Sequence, residues 1–122
     1  MSISHYRDLL VWQEARKLTT AIYRITRTFP REEVFGLTQQ MRRAALSVVC
    51  NIAEGHGRRT RNDTLHFLAI SRGSLQELET QVIISVDLEY LDASAAEPLF
   101  EQISKVFRRL NGFIRHYETR AG

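Results

Sequence analysis

Between Leu37 and Arg58, six polar residues recur at steps of three or four inside an apolar-rich run: Gln40, Arg43, Ser47, Asn51, Glu54 and Arg58. Side chains three or four positions apart lie over one another on a helix, so the six form a stripe along one helix face. Leu37, Met41, Ala44, Ala45, Val48, Val49, Ile52 and Ala53 give the same helix a wide apolar face. An ordinary amphipathic helix shows water a mixture of Lys, Glu and Ser. This arc is chemically more specific, which implies that part of it pairs with another helix.

The same periodicity places three more helices. Val11, Ala15, Leu18, Ile22, Ile25 and Phe29 mark a first helix at about residues 8–28, with Asp8 as N-cap and Pro30 as the stop. The second runs over about 37–56 and ends at Gly55-His56-Gly57, where glycine can supply a left-handed cap. Thr60 or Asn62 can cap a third helix over about 63–91. That helix is apolar on several sides: Phe67, Leu68, Leu75, Leu78, Val82 and Val86 on one face, Ile70, Ile84 and Leu88 on a second, Leu65 and Ile83 in a third direction. A helix apolar on more than one side is buried on more than one side. With only four helices available, Ile70, Ile84 and Leu88 are the expected contact with another subunit, and Gly73-Ser74 would allow close approach there. Ser94-Ala95-Ala96-Glu97 reads as a capping box opening a fourth helix, with Pro98 in its first turn. Leu99, Ile103, Val106, Phe107, Leu110, Phe113, Ile114 and Tyr117 form its buried face. Short connections between all four imply an all-α, antiparallel up-and-down four-helix bundle occupying residues 1–122 as one domain.

The single cysteine, Cys50, excludes a disulfide framework, and Met1–Leu10 carries no apolar leader segment. No run approaches the length of a membrane span. These features point to a cytoplasmic protein with no membrane partner.

Charge is strongly segregated. Residues 1–72 hold 12 basic and 6 acidic side chains, residues 73–104 hold no Lys or Arg and 7 acids, and residues 105–122 hold 5 basic and 1 acidic. Fifteen of the 17 basic residues are arginine, which grips phosphate and carboxylate in bidentate fashion. On the first helix Arg16, Arg24 and Arg27 line up with Thr20 and Arg31 as a basic ridge, and Lys105, Arg108 and Arg109 begin another on the fourth, with Arg115 and His116 beyond. Clustered cations on one face are the footprint of phosphate-backbone binding, with a solvated, solubilising surface as the plain alternative. Neither ridge is interleaved with aromatics, so sequence-tolerant backbone contact is expected rather than base stacking. Trp12 and Tyr23 lie beside the core stripe of the first helix, as edge-packing or intersubunit residues.

The polar stripe reads best as structure: Glu54 pairs with Arg58 one turn on, and Arg43 with a carboxylate such as Glu77. Helical ribonucleases of the HEPN class use Arg, four to six residues, then His. Arg61–His66, Arg59–His66 and Arg109–His116 all satisfy that spacing. With fifteen arginines and four histidines, about one or two such matches arise by chance, so the motif has little weight. The four histidines have no metal-ligand spacing, Cys50 reads as a packing or interface residue, and Gly55–Arg59 lacks the lysine and strand context of a P-loop. No cofactor is indicated.

Leu10-Val11-Trp12, Phe29-Pro30, Gly36-Leu37 with Gln40-Met41 and Arg43-Ala44-Ala45, Asn51-Ile52-Ala53-Glu54-Gly55 with Gly57-Arg58, and Gly73-Ser74-Leu75 with Glu77-Leu78-Glu79 together carry a resemblance. From about residue 5 to 118 the chain resembles the small four-helix bundle proteins encoded in intervening sequences of bacterial 23S rRNA genes. That resemblance implies an antiparallel bundle, often a homopentamer, with no established activity. The accessory protein of diversity-generating retroelements is similar in fold, and there a basic pentamer works with a reverse transcriptase and its RNA. The expectation is a non-enzymatic, homo-oligomeric scaffold holding RNA or DNA on its arginine faces. The rival is a structural or protein-interaction module, and a HEPN-like ribonuclease is the remote third.

Overall fold

The computed structural model describes residues 5–119 and forms four helices, α1 (Leu10–Thr26), α2 (Leu37–His56), α3 (Arg61–Asp87) and α4 (Ala93–Glu118). Short 3-10 turns at Tyr6–Asp8 and Arg31–Glu33 precede α1 and α2. Each helix packs on the next in sequence, and α4 closes back onto α1. This is the antiparallel four-helix bundle, without a strand among the described residues. Residues 1–4, part of the segment read for a leader, lie outside those described.

One apolar stripe from each helix fills the centre. Leu18 and Ile22 of α1, Met41 and Ile52 of α2, Leu68, Leu75 and Leu78 of α3, and Ile103 and Leu110 of α4 are fully buried. Each such side chain contributes about 1.5–3 kcal/mol through lost contact with water.

The α2–α3 seam is the most extensive, and small residues set its spacing. A Cβ on Gly55 would sit 3.2 Å from Phe67 Cβ and 3.3 Å from the Thr64 carbonyl, so glycine here permits the helices to meet. Gly57 shows φ −86°, so it ends α2 without the expected left-handed cap. Hydroxyls of α3 then satisfy groups on α2: Thr64 donates to the Gly55 carbonyl at 2.9 Å and Ser71 to the Val48 carbonyl at 2.8 Å. Buried polar groups left without such partners would be costly.

Helix ends depart from expectation in instructive ways. Asp8 lies in the 3-10 turn, and the N-cap of α1 is Leu9, with no side-chain cap. Thr60 caps α3 as expected. Asp92, not Ser94, caps α4 by accepting from the Ala95 N–H at 2.8 Å, so Pro98 falls beyond the first turn. Helix α3 stops at Asp87 because Glu89 turns left-handed, with φ 63°. The Tyr90 N–H then reaches the Ser85 carbonyl at 2.9 Å and the Glu89 N–H the Val86 carbonyl at 3.0 Å, the paired bonds of a Schellman turn. Tyr90 also donates to Glu33 at 2.7 Å, while Glu33 accepts from the Leu37 N–H at 3.1 Å. One carboxylate thus caps α2 and ties it to the α3–α4 turn.

Candidate nucleic-acid interface

Glu14 organises the charges between α1 and α4. Its side chain is only 14% exposed and lies 3.7 Å from Lys17 Nζ and 3.6 Å from Lys105 Nζ. The chain's two lysines are therefore held by one carboxylate. The arginines of the same region are not: Arg16, Arg24, Arg27 and Arg109 are exposed and have no carboxylate within ion-pair distance among the described residues. Arg108 donates to Ser104 Oγ at 3.0 Å, a neutral acceptor that leaves its charge uncompensated.

Arg16, Arg24, Arg108 and Arg109 line two concavities. A groove of about 610 Å³ on the outer side of α1 is bordered by Arg7, Arg16, Lys17 and Arg24, with Trp12 and, from α4, Gln102. A cleft of about 630 Å³ separates the start of α1 from α4 and is lined by Lys105, Arg108, Arg109 and His116, with Leu10, Phe113 and Asp8. Arg27 borders neither, since it sits at the C-cap of α1. The expectation that aromatics stay clear of the ridges does not hold. Arg16 lies over the Trp12 ring at 5.7 Å from its centroid, Tyr6 meets that ring edge-on at 5.3 Å, and Phe113 shares the second cleft with the α4 cations. Trp12 precedes Arg16, and Arg109 precedes Phe113, by one helical turn. A residue at the edge of a core stripe thereby also borders the cationic face.

The 23S rRNA-intervening sequence protein family matches the chain over residues 7–112. The chain belongs to that family. A solved protein of unknown function from the S23 ribosomal protein family of Bacteroides thetaiotaomicron has the same fold, with a TM-score of 0.77 and 19% sequence identity. The match covers 86% of this chain and 98% of that one. Among curated proteins, none matches.

In this 23S rRNA-intervening sequence protein the polar stripe of α2 divides into a loose start at Gln40 and Arg43 and an engaged run from Ser47 to Arg58. Ser47 and Ser74 of α3 share a 2.7 Å hydrogen bond, and Asn51 donates to Ser47 Oγ at 3.1 Å. Arg58 forms the expected pair with Glu54 at 2.7 Å and lies over the Phe67 ring at 4.4 Å. Gln40 and Arg43 are exposed, and the expected Arg43–Glu77 pair is not made within the chain: Glu77 accepts from Gln81 at 3.2 Å instead. The arginine that does structural work is its neighbour. Arg42 donates to Thr26 Oγ1 at 2.9 Å and to the Tyr23 carbonyl at 3.2 Å, with its guanidinium 4.8 Å from the Tyr23 ring centroid. It thus places positive charge at the C-terminal end of α1, where the helix dipole favours it.

The histidines and the cysteine singled out by sequence lie in different places. Arg109 and His116 border one cleft, whereas His66 is exposed with its ring against Phe67. Cys50 is exposed beside Tyr6 and Arg58 rather than packed within the chain. Among the described residues no group of three or more His, Cys, Asp or Glu side chains is placed to hold a metal ion. No described helix is long and apolar enough to cross a membrane. Where titration is displaced, helix ends explain it. The Leu37 N–H and then Tyr90 hold Glu33 below the usual carboxylate range, Glu33 pushes Tyr90 up, and the Ala95 N–H lowers Asp92.

Proposed function

We propose that the protein is a non-enzymatic bundle that binds nucleic acid, RNA in the first instance, by the phosphate backbone along α1 and α4. The observation that carries this reading is the unequal neutralisation around Glu14. Two lysines are held there, while Arg16, Arg24, Arg108 and Arg109 stay free of carboxylates beside two grooves. Guanidinium groups without an acidic partner are available to phosphate oxygens, and releasing condensed counterions drives such binding.

Self-association is part of the proposal. Ile70, Ile84 and Leu88 are 39%, 41% and 49% exposed on α3, which supports their role as a contact between copies. A homopentamer, as the family resemblance implies, would repeat the arginine faces, and several weak sites on one RNA would act together. A free cysteine suits a reducing, cytoplasmic setting. By analogy with the retroelement accessory protein, a reverse transcriptase is a candidate protein partner.

The competing reading, a protein-interaction module, draws on Phe35, which is 85% exposed beside the start of α2. Charge reversal separates the two. Arg16→Glu with Arg24→Glu should abolish binding of structured RNA in a gel-shift assay while the mass by light scattering stays that of wild type. If RNA binding persists unchanged in that double variant, the arginine-face reading is wrong.

A further inference from the structure

We infer that the cleft between the start of α1 and α4 seats a single unpaired nucleotide, so that the protein prefers single strands over duplex. The inference rests on the nucleic-acid reading above and adds to it a site and a substrate class.

The first ground is a glycine that the fold does not need. Glycine weakens a helix interior relative to alanine, so it usually answers to something close by. At Gly55 that something is α3. At Gly112, in the interior of α4, the nearest atom a Cβ would meet is Arg115 Nη2, 3.9 Å away, so packing within the chain leaves the position open. Gly112 borders the cleft, and without a side chain it keeps that space free.

The second ground is the chemistry of the walls. Leu10, 57% exposed, and Phe113 offer apolar surface, while Arg108, Arg109 and His116 come from the same face of α4. Arg109 has no carboxylate partner, Lys105 is shared with Glu14, and Asp8 is the acid in the lining. An apolar surface beside cations matches a base with its own phosphate. The volume of about 630 Å³ lies within the range of small-molecule sites, the scale of one nucleotide rather than of two stacked strands. Unstacked bases gain by lying on aromatic and apolar side chains, and paired ones cannot reach them.

The test measures fluorescence anisotropy of the full chain with a short labelled oligouridine and with an RNA duplex of equal length. Wild type should favour the strand. Gly112→Leu should melt no lower than wild type, since leucine is the better helix former, and should lose roughly tenfold in affinity for the strand but not for the duplex. Leu10→Glu is a second, independent probe. A carboxylate is welcome in the first turn of a helix, and there it should repel the nucleotide phosphate and weaken the strand more than the duplex. If wild type binds RNA and both variants bind the strand as it does, the seat is disproved while backbone binding stands. If wild type binds neither RNA, the seat and the backbone reading fail together.

Discussion

Glu89 holds the left-handed position that ends α3, with φ 63°, in a Schellman turn where glycine is the usual occupant. A residue with a Cβ incurs about 1–2 kcal/mol there, from the clash between Cβ and the following carbonyl. Glu89→Gly removes that strain, and glycine's greater freedom in the unfolded chain returns about 0.5–1 kcal/mol of it. The net expectation is a gain of about 0.5–1 kcal/mol, a rise in melting temperature of roughly 2–6 °C for a chain of this size. Losing a carboxylate from a helix C-terminus adds a smaller favourable term through the helix dipole. Glu89→Ala controls for it, because alanine removes the charge and keeps the strain. Urea and thermal melts of the three proteins at one fixed chain concentration decide the matter. A Gly variant no more stable than the Ala variant would refute the backbone-strain reasoning.

Further expectations concern the seams and the cap. Arg42→Ala should cost about 1–3 kcal/mol in urea unfolding, because it strips two hydrogen bonds and a ring contact from the end of α1; a loss under about 0.5 kcal/mol would make that arginine ornamental. Gly55→Val should destabilise by about 1–3 kcal/mol through overpacking against Phe67 and Thr64, read by the same melts. Glu33 has a lowered titration, so its contribution is full above the ordinary carboxylate range and is lost as pH falls through its folded value. Tyr90 is raised, so its share is lost only as pH climbs beyond the usual phenol range. Glu33→Gln should therefore flatten the acid side of a stability–pH profile, and an unchanged acid limb would exclude this cap as its source.

The bundle was legible in the sequence because helical periodicity is a property of each segment alone: Val11 to Ile22, Met41 to Ile52 and Leu99 to Ile114 announce their own buried stripes. Helix ends were less so. Asp8 and Ser94 have the right chemistry for caps, but the 3-10 turn before α1 and the Asp92 cap settle those ends, and the turn after α3 is set by a glutamate that shows no left-handed preference in sequence. Along the α2 stripe Ser47 meets Ser74 of α3, Asn51 bonds back to Ser47, and Arg43 is exposed. Neighbouring helix positions differ by about 100°, which puts Arg42 on the α1 side and Arg43 in water. The cationic ridges were visible as spacing on α1 and α4. Glu14, which sorts lysines from arginines, was not, because its two partners sit on different helices and only the packing brings Lys105 to Lys17.

Backbone gripping by arginine is tested most directly by the salt dependence of RNA affinity. The logarithm of the binding constant should fall linearly with the logarithm of salt concentration, with a slope of roughly −0.7 to −0.9 per phosphate contacted. Arg16→Ala and Arg109→Ala should each make that slope shallower by about one contact. An affinity indifferent to salt, or a slope that both substitutions leave unchanged, would contradict it.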